Sequence, residues 1–472
     1  MSQKTIGIIG AGISGLATAA LLSRAGHKVT VLEGSDWVGG KSRRIHLDSQ
    51  RMDTGPALVT FPGVWEEFIR RYDLLRPNEP KAQEIAPIEF ELLDEVGEYF
   101  FRGESSLLPV EKDHPWYSAW EKFQQIHGGL DKEITTLLTH HSLDPKAIPA
   151  VSSLVSKYGS RLTTSSYLKG LDWLPEGLRE VIAIHTLNAG VPPENTLALF
   201  ATMPAVMAAQ GVRVPKGGVN EIPLTLEKLA KAAGAEIHLN EKVLSVSKNS
   251  VRTKRASYGF DVIISSLDAQ KTDELIGKRR SITPKARSCS GVAIYAVLKN
   301  DLPEGTKTHS VIMPDDPAQL HSALTKQQIP DQSMVFVNYY RAGHIYPNTR
   351  STVAVLLTAP ADGNNYNLES DWVRKELKRV SQVMKLPKAI EDYFDGYKIL
   401  DPEYFSTWGA RGGALYGEAR QIWQSGPLHT PKQRSLRRPW LWRVGASTHP
   451  GGGIPAVLGG SLIATERLLK SL

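Results

Sequence analysis

Three glycines near the start of the chain have the spacing of a phosphate-binding turn. An apolar stretch, 5–9, runs into Gly10-Ala-Gly12-Ile-Ser-Gly15. Gly10 would allow a tight turn, Gly12 would let the backbone approach a pyrophosphate, and Gly15 would let a helix pack closely against the strand. The N-terminus of that helix would favour an anion, and Glu33, which ends the next apolar stretch, is placed to bind ribose hydroxyls. We therefore predict a dinucleotide site here.

Two further loops favour a flavin over a nicotinamide cofactor. Gly34 is soon followed by Gly39-Gly40-Lys41-Ser-Arg43-Arg44, in which cations beside backbone amides form a second candidate phosphate site. A third loop reads Asp53-Thr-Gly55-Pro56-Ala57. Either loop alone could be an ordinary solvated loop. A nicotinamide enzyme usually needs only the glycine turn at residues 10–15, whereas an enzyme that holds a flavin permanently surrounds it with several segments of the chain. The glycine turn and the two loops together therefore predict a flavin.

A glycine-rich loop near the C-terminus completes the candidate site. The segment Gly445-Ala-Ser-Thr-His449-Pro-Gly-Gly-Gly453 leads into a helix with Pro455 in its first turn, where the missing N–H costs nothing. Such a loop would let backbone amides approach a planar ligand, and the helix N-terminus would stabilise negative charge near N1 and O2 of a reduced isoalloxazine. A flexible turn ahead of a helix is the alternative interpretation. His449 is the candidate for proton transfer, with a loop-bracing hydrogen bond as its alternative role.

Composition sets limits on the class of protein. A chain of 472 residues has room for two or three lobes around an enclosed cofactor. The single cysteine, Cys289, excludes an intrachain disulfide and favours the reducing cytoplasm. The net charge of +7 is compatible with anionic partners, but the chain has no nucleic-acid module and no zinc spacing. We expect no metal and no nucleic-acid partner.

No segment is expected to cross a membrane. The uncharged run Thr5 to Ser23 could be a signal peptide or an anchor, but glycines interrupt it and another strand follows directly. The run Asn195 to Val212 is also uncharged, yet its apolar part, 197–209, is too short for a bilayer of about 30 Å. A buried or interfacial helix fits it better.

The order of patterns along the chain predicts an α/β fold with an interrupted cofactor domain. Helical periodicity covers 64–75, short strands are indicated at 88–93 and 98–101, and 116–206 is mostly helical. The alternation of strand and helix that is typical of nucleotide-binding units then resumes over 214–266.

The whole set of motifs resembles the bacterial carotenoid desaturases of the phytoene desaturase type. The resemblance covers nearly the whole chain, is thinnest from 111 to 178, and rests on the opening fingerprint, Gly39-Gly40, Asp53-x-Gly55-Pro56, Pro215-Lys-Gly-Gly218, Ser288-Cys-Ser290 and above all Gly445-Ala-Ser-Thr-His-Pro-Gly-Gly-Gly-Ile-Pro455. It implies a discontinuous, Rossmann-like FAD-binding domain (1–75, 212–275 and 400–472), a mixed-sheet substrate-binding domain (76–115 and 276–399) and a helical, membrane-associated lobe (116–211).

The same resemblance assigns roles to individual residues. The pyrophosphate turn would be Gly10, Gly12, Ile13, Ser14 and Gly15; the adenosine ribose site Glu33 and Gly34; the second phosphate segment Gly40, Lys41 and Ser42; the segment along the flavin ring Gly55, Pro56 and Ala57; the adenine contact Val243; and the pyrimidine side Gly445, Gly453, Ile454, Pro455 and Val457. Two positions depart from the pattern. Lys41 replaces an arginine fork by a point charge, and Ala446 replaces an aspartate common in related flavoenzymes. His185 and His309 stand where the family often has histidine, and we expect structural roles for both.

The implied reaction is the removal of two hydrogens from adjacent carbons of an acyclic isoprenoid. A hydride would pass to flavin N5 and a neighbouring proton would leave, so that positioning supplies most of the catalysis. Two alternatives stay open: a flavin amine oxidase, and a non-redox polyene cis-trans isomerase. Oxygen or a quinone would be the final electron acceptor. The sequence does not identify which carotenoid is the substrate.

A lipophilic substrate has consequences for localisation. A hydrocarbon that leaves a bilayer for an apolar tunnel loses most of the usual burial gain of about 0.8 kcal/mol per CH₂, so the enzyme should collect it at the membrane. We expect a peripheral, cytoplasmic protein that docks through 115–210, with Lys157 and Arg161 beside exposed apolar side chains.

Overall fold

The structure is a computed structural model that describes residues 2–55, 57–278, 287–420, 422–424 and 426–472. Its strands are β1 (Thr5–Ile9), β2 (Lys28–Leu32), β3 (Arg43–Leu47), β4 (Gln50–Thr54), β5 (Phe90–Leu93), β6 (Gly97–Phe101), β7 (Glu104–Leu108), β8 (Val212–Pro215), β9 (Glu236–His238), β10 (Val243–Ser247), β11 (Ser250–Thr253), β12 (Ser257–Gly259), β13 (Val262–Ser265), β14 (Ser290–Leu298), β15 (His309–Ile312), β16 (Val335–Tyr340), β17 (Thr352–Ala359), β18 (Phe394–Leu400) and β19 (Leu441–Arg443).

The helices are α1 (Ile13–Arg24), α2 (Pro62–Leu75), α3 (Ala82–Ile85), α4 (Tyr117–His127), α5 (Asp131–Thr139), α6 (Ile148–Tyr158), α7 (Thr164–Lys169), α8 (Glu176–Ala183), α9 (Met203–Gln210), α10 (Glu221–Ala232), α11 (Ala269–Leu275), α12 (Pro317–Thr325), α13 (Asp371–Val383), α14 (Pro402–Trp408) and α15 (Ile454–Leu469). Short 3-10 helices span Pro145–Ala147, Ile184–Ala189, Ala198–Thr202, Ile390–Tyr393, Arg411–Gly413, Ile422–Gln424 and Gly426–Leu428.

A five-stranded parallel sheet forms the first layer. Its order is β19-β13-β1-β2-β9, and each adjacent pair is parallel. Ile6 and Ile8 of β1 are completely buried, as expected where helices cover both faces of a parallel sheet. Because its strands come from three distant stretches of the chain, the predicted discontinuous, Rossmann-like α/β fold is confirmed. In such sheets a nucleotide binds beyond the carboxyl ends of the strands.

A seven-stranded mixed sheet forms the second layer. Its order is β18-β14-β17-β16-β15-β6-β7, with β15 and β6 parallel and the other pairs antiparallel. Its outer face buries Ile294 and Val337 against the apolar side of α13, including Leu377. On the inner face, Tyr295 packs with Ile45 of the β3–β4 hairpin. The inner face is therefore turned toward the loops of the parallel sheet.

One of the short helices between β7 and β8, α5, packs on the C-terminal helix α15. A Cβ built on Gly459 of α15 would lie 2.1 Å from the carbonyl oxygen of Leu138 in α5, so only glycine allows this approach. α6 in turn packs on α5. None of the helices that the structure describes has both the length and the apolarity required to cross a membrane.

The two strands expected near residues 88–101 form in different sheets. β5 pairs with β8 in a separate two-stranded sheet, whereas β6 belongs to the seven-stranded sheet. The boundaries proposed for the three domains stay a prediction.

Candidate functional site

The glycine turn after β1 has the geometry that a phosphate ligand needs. Gly10 has a φ of 95°, and the Ser266 hydroxyl donates hydrogen bonds to the carbonyls of Ile9 and Gly10 at 3.0 and 2.9 Å. A Cβ on Gly15 would lie 2.1 Å from the Gly10 carbonyl oxygen, whereas a Cβ on Gly12 would meet nothing within 4 Å. Gly15 is thus required by packing inside the protein, and Gly12 faces open space that a ligand could fill.

The second glycine pair lies against the same turn. The Gly39 N–H donates to the carbonyl of Ala11 at 2.8 Å, and Gly39 forms a parallel bridge with Gly12. A Cβ on Gly40 would lie 3.2 Å from the Gly12 Cα. Ile13 and Ser14 form the first turn of α1 behind them. We call residues 10–15 and 33–42 the nucleotide cradle.

Two polar groups in the cradle have the chemistry of an anion site. The Ser42 side chain is buried, and its hydroxyl has no hydrogen-bond partner among the described residues. The Lys41 ammonium donates to the carbonyl of Leu415 and forms no ion pair in the described part of the chain. Burial lowers the pKa of Lys41, and the charge of Asp268 opposes this shift. A buried ammonium and an unpaired hydroxyl beside glycine amides fit a phosphate group.

Glu33 is fixed at the carboxyl end of β2. Its carboxylate accepts hydrogen bonds from the N–H of Ala11 at 2.7 Å and from the N–H and hydroxyl of Ser35 at 2.9 and 2.8 Å. These bonds hold the carboxylate beside the glycine turn, where lone pairs remain for ribose hydroxyls.

The residues assigned to the adenine side follow directly. A Cβ on Gly34 would touch the side chain of Lys242 at 3.5 Å, and the Glu241 N–H donates to the Glu33 carbonyl at 2.7 Å. Val243 begins the next strand and is buried. The segment that contains Val243 is therefore adjacent to the cradle.

Gly55 begins the segment expected to run along a flavin ring, residues 53–57, which we call the ring segment. Gly55 has a φ of 92°, and a Cβ there would lie 2.4 Å from the carbonyl oxygen of Lys41. Its N–H donates to the Tyr295 hydroxyl at 3.3 Å. Pro56 lies outside the described residues.

Two more tyrosines of the seven-stranded sheet region hold the ring segment. The Asp53 N–H donates to the Tyr346 hydroxyl at 3.3 Å, and the Tyr340 hydroxyl donates to the Ala57 carbonyl at 3.4 Å. Sequence reasoning missed all three tyrosines because no local motif marks them.

The Asp53 side chain ties the ring segment to strand β3 and to the residue before α10. Its carboxylate accepts from the Arg44 Nε at 2.8 Å and from the Asn220 N–H at 2.8 Å. The same guanidinium pairs with Glu221 at 3.0 Å. This buried network fixes the β3–β4 hairpin against the start of α10.

The C-terminal loop, residues 445–453, reaches the cradle from the other end of the chain. A Cβ on Gly445 would lie 3.2 Å from the Ser266 carbonyl oxygen and 3.4 Å from the Ser14 hydroxyl. The Ser461 hydroxyl donates to the Ser14 carbonyl at 3.1 Å and fixes α15 against α1. Gly453 has a φ of 90°, and nothing lies within 4 Å of a Cβ built there, so the N-terminus of α15 faces open space. The first turn of that helix consists of Ile454, Pro455 and Val457 with Ala456.

His449 is the titratable group of this loop. Burial lowers its pKa to about 4, and the neighbouring His141 and Lys432 add to the effect. Its Nε2 is buried without a hydrogen-bond partner among the described residues, and its ring lies 6.1 Å from that of His429. His449 is therefore neutral at pH 7.

The other two candidate histidines, His185 and His309, make hydrogen-bond contacts to a helix and to strands. Nδ1 of His185 lies 2.8 Å from the Val181 carbonyl and Nε2 lies 3.0 Å from the Tyr99 hydroxyl, so both nitrogens are satisfied. His309 Nε2 lies 3.3 Å from the Tyr340 hydroxyl. Burial lowers the pKa of His185 to about 4 and that of His309 to about 3.

The observed groups fit FAD. The cradle, the ring segment and the C-terminal loop converge, with open space at Gly12 and Gly453 and an unpaired hydroxyl at Ser42. The cradle would take the pyrophosphate and ribose, and the positive end of α15 would face the ring.

Comparisons with known proteins agree with this geometry. Residues 13–279, more than half of the chain, match the model of the flavin containing amine oxidoreductases. A phytoene desaturase of Fusarium fujikuroi is 24% identical over 99% of this chain and 90% of its own length. A 4,4'-diapophytoene desaturase (4,4'-diaponeurosporene-forming) of Staphylococcus aureus is 24% identical over 99% of both chains.

Solved structures show the same fold at low sequence identity. A putrescine oxidase with bound putrescine has a TM-score of 0.64 and 14% identity over 100% of this chain and 99% of the other. A fatty acid isomerase of P. acnes that produces CLA has a TM-score of 0.58 and 16% identity over 100% and 99%.

Proposed function

Because the chain belongs to the family of flavin containing amine oxidoreductases and its cofactor is FAD, we propose that it is a desaturase of an acyclic carotenoid or carotenoid precursor. The observation that carries the proposal is the similarity to phytoene-type desaturases over 99% of this chain. The convergence of the C-terminal loop on the cradle supports it, because that loop also carries the motif most specific to those desaturases.

Bound FAD would supply the acceptor for a hydride from an allylic carbon. The protein's part is to hold and orient the reacting groups. Gly12, Gly40 and Lys41 would hold the pyrophosphate, Glu33 the ribose, and the N-terminus of α15 would stabilise negative charge on the ring. The ring segment, fixed by three tyrosines, would set the position of the ring relative to the substrate.

His449 is the proposed proton acceptor, at Nε2. A pKa of about 4 makes it a weak base, but the proton next to a developing allylic cation is strongly acidic, so a weak neutral base suffices. Its unpaired Nε2 is free for this task.

A half-open, mainly apolar groove close in sequence to the ring segment supports a hydrocarbon substrate. Its volume is about 380 Å³, and its wall begins at Val59, two residues after Ala57. Two arginines in the wall are neutralised, Arg70 by Glu67 at 2.7 Å and Arg213 by Glu66 at 3.5 Å. The apolar side chains that line the groove are Val59, Pro62, Trp65, Ile69, Ile88 and Phe90, and its polar side chains are Glu66, Arg70, Gln83 and Arg213. A site of this kind suits the arm of a polyene better than a charged amine.

An exposed apolar patch supports collection of the substrate at a membrane. Ile148, Val151 and Val155 lie on one face of α6 and are 64%, 42% and 60% exposed, while the opposite face is buried. Exposed apolar side chains beside cations are typical of proteins that dock on anionic lipid surfaces. We define the apolar patch as Leu143, Ile148, Val151, Val155 and Leu162; exposed cations in the same stretch are Lys146, Lys157 and Arg161.

Sedimentation with anionic liposomes tests the docking surface. Ile148→Ser combined with Val155→Ser should weaken binding at least about tenfold, because two large apolar side chains no longer enter the interface. Ile329→Ser, at a residue 47% exposed in the loop after α12, is the matched control and should bind as wild type. Equal sedimentation of all three proteins would contradict docking through α6. We place the protein on the cytoplasmic side of the membrane, with oxygen or a quinone as final acceptor.

The reaction itself is tested with purified, FAD-loaded protein and liposomes that contain acyclic thirty- or forty-carbon carotenes. The expected products have lost pairs of hydrogens by mass spectrometry and absorb at longer wavelength, with either oxygen or a quinone present. Peroxide release with amines but not with polyenes would indicate an amine oxidase. A changed absorption spectrum at constant mass would indicate an isomerase, and either result would overturn the proposal.

A further inference from the structure

Three polar side chains lie together on the inner face of the seven-stranded sheet. His309 of β15 and Asn338 of β16 are directly opposite each other, and Tyr340 is two residues further along β16 on the same face. The neighbours Val311 and Phe336 on this face are apolar. All three polar residues are buried, with 4%, 4% and 6% of their surfaces exposed. We call His309, Asn338 and Tyr340 the polar row.

One nitrogen of the polar row has no hydrogen-bond partner among the described residues. Nδ1 of His309 is buried without a hydrogen-bond partner among the residues that the structure describes, and its Nε2 lies 3.3 Å from the Tyr340 hydroxyl. Buried polar groups in proteins are nearly always paired, so this unpaired imidazole nitrogen, on a residue directly opposite the buried Asn338, indicates a missing ligand.

The polar row lies next to the ring segment. The Tyr340 hydroxyl donates to the Ala57 carbonyl at 3.4 Å. Across the sheet, Ala354 lies between Asn338 and Tyr295 in register, and the Tyr295 hydroxyl accepts from the Gly55 N–H. A ligand of the polar row would therefore lie near the proposed position of the flavin ring.

The charges around the polar row are already paired. Asp53 is bound to Arg44 at 2.8 Å, and His344 lies 2.9 Å from a carboxylate oxygen of Glu91. Burial holds the pKa of His309 at about 3, so its imidazole is neutral. A carboxylate ligand would find no free cation here, and an ammonium ligand would find no free carboxylate, among the residues that the structure describes.

We propose that the polar row binds a neutral oxygen function, a hydroxyl or a carbonyl, on the substrate chain. The amide of Asn338 can donate through Nδ2 and accept through Oδ1, and His309 offers a second ring nitrogen. This inference rests on the proposed function, because it names the substrate of the same site. It selects oxygenated acyclic isoprenoids over plain hydrocarbons.

The test uses ligands that cannot react. FAD-loaded protein is titrated with a fully saturated isoprenoid alcohol and with the saturated hydrocarbon of equal carbon number, and the shift in melting temperature and the flavin absorption report binding. The alcohol should bind at least about tenfold more tightly, because a site built to hydrogen-bond an oxygen discriminates against the ligand that lacks it. Asn338→Leu and Tyr340→Phe should each reduce the preference, whereas Phe336→Leu on the same face should change both affinities equally.

These binding measurements test the polar row independently of the desaturation reaction. Equal affinities for the two ligands in the wild type, or an unchanged preference in both Asn338→Leu and Tyr340→Phe, would overturn it. If Asn338→Leu fails to fold, the ratio of the affinities for the alcohol and the hydrocarbon can still be measured in the conservative Tyr340→Phe variant. A preference for the alcohol in a protein that desaturates no polyene would uphold the polar row and overturn only the proposed function.

Discussion

The nucleotide cradle and the ring segment are built in two different ways. The cradle depends on backbone contacts between residues close in sequence, such as Gly15 with Gly10 and Gly39 with Ala11. The ring segment depends on side chains 240 to 293 residues away, whose hydroxyls hold its backbone. The cradle is therefore encoded locally, whereas the ring segment takes its position only when the two sheets have packed together.

The largest expected effect comes from a substitution in the nucleotide cradle, the region held by local backbone contacts. Gly15→Ala places a Cβ 2.1 Å from the Gly10 carbonyl oxygen, so α1 must move away from the sheet. We expect the free energy of unfolding of the apoprotein to fall by about 3 kcal/mol and FAD binding to be lost. Chemical denaturation and a fluorescence titration with FAD measure the two quantities.

Gly12→Ala is the matched control for that variant. Gly12 has a φ of −70°, and a methyl group placed there would meet open space, so alanine fits the apoprotein without strain. The unfolding curve of the apoprotein should match wild type while the affinity for FAD falls, because the methyl group occupies the space of the pyrophosphate. Equal destabilisation by both substitutions would refute the distinct roles of the two glycines.

The same contrast explains what the sequence could predict. Gly10 and Gly15 were recognisable because a turn with positive φ and the close packing of a helix require glycine at a fixed spacing. Gly12 was recognisable as the position that a pyrophosphate approaches, and Glu33 by its place at the end of the next strand. The tyrosines of the ring segment were not recognisable, because a buried tyrosine in a strand has the same pattern whether or not its hydroxyl holds a distant loop. The fold class followed from strand and helix alternation, but the pairing of β5 with β8 depends on tertiary contacts.

Acid should lower the free energy of unfolding through His309, whose partner Tyr340 holds the ring segment. Burial lowers the folded-state pKa of His309 to about 3, whereas an unfolded histidine titrates near 6.5. Above pH 6.5 both states are neutral. As the pH falls below 6.5 the unfolded chain gains a proton that the folded protein does not, so stability falls by about 1.4 kcal/mol per pH unit toward pH 3. His309→Phe should remove this contribution from the slope of unfolding free energy between pH 6 and 4.5.

Tyr340→Phe separates titration from the lost hydrogen bond. It removes the same contact between His309 and Tyr340 but keeps the imidazole, so its slope with pH should equal that of the wild type. A slope unchanged in His309→Phe would show that the imidazole is protonated in the folded protein. The ring segment would then lack the buried neutral contact described here.

The smallest effect concerns Lys41, where the two regions meet. Its carbonyl oxygen lies against Gly55 and its ammonium reaches the Leu415 carbonyl, so it belongs to both. Lys41→Met removes a desolvated charge, and we expect the apoprotein to unfold at a slightly higher temperature while the affinity for FAD falls about tenfold through loss of a phosphate contact. Lys41→Arg keeps the charge and should stay within a few-fold of wild type in FAD affinity. If the Lys41→Met apoprotein is more stable than wild type but binds FAD more weakly, the ammonium serves to bind the cofactor. If the variant loses both stability and FAD affinity, Lys41 is instead a structural link between the cradle and the ring segment.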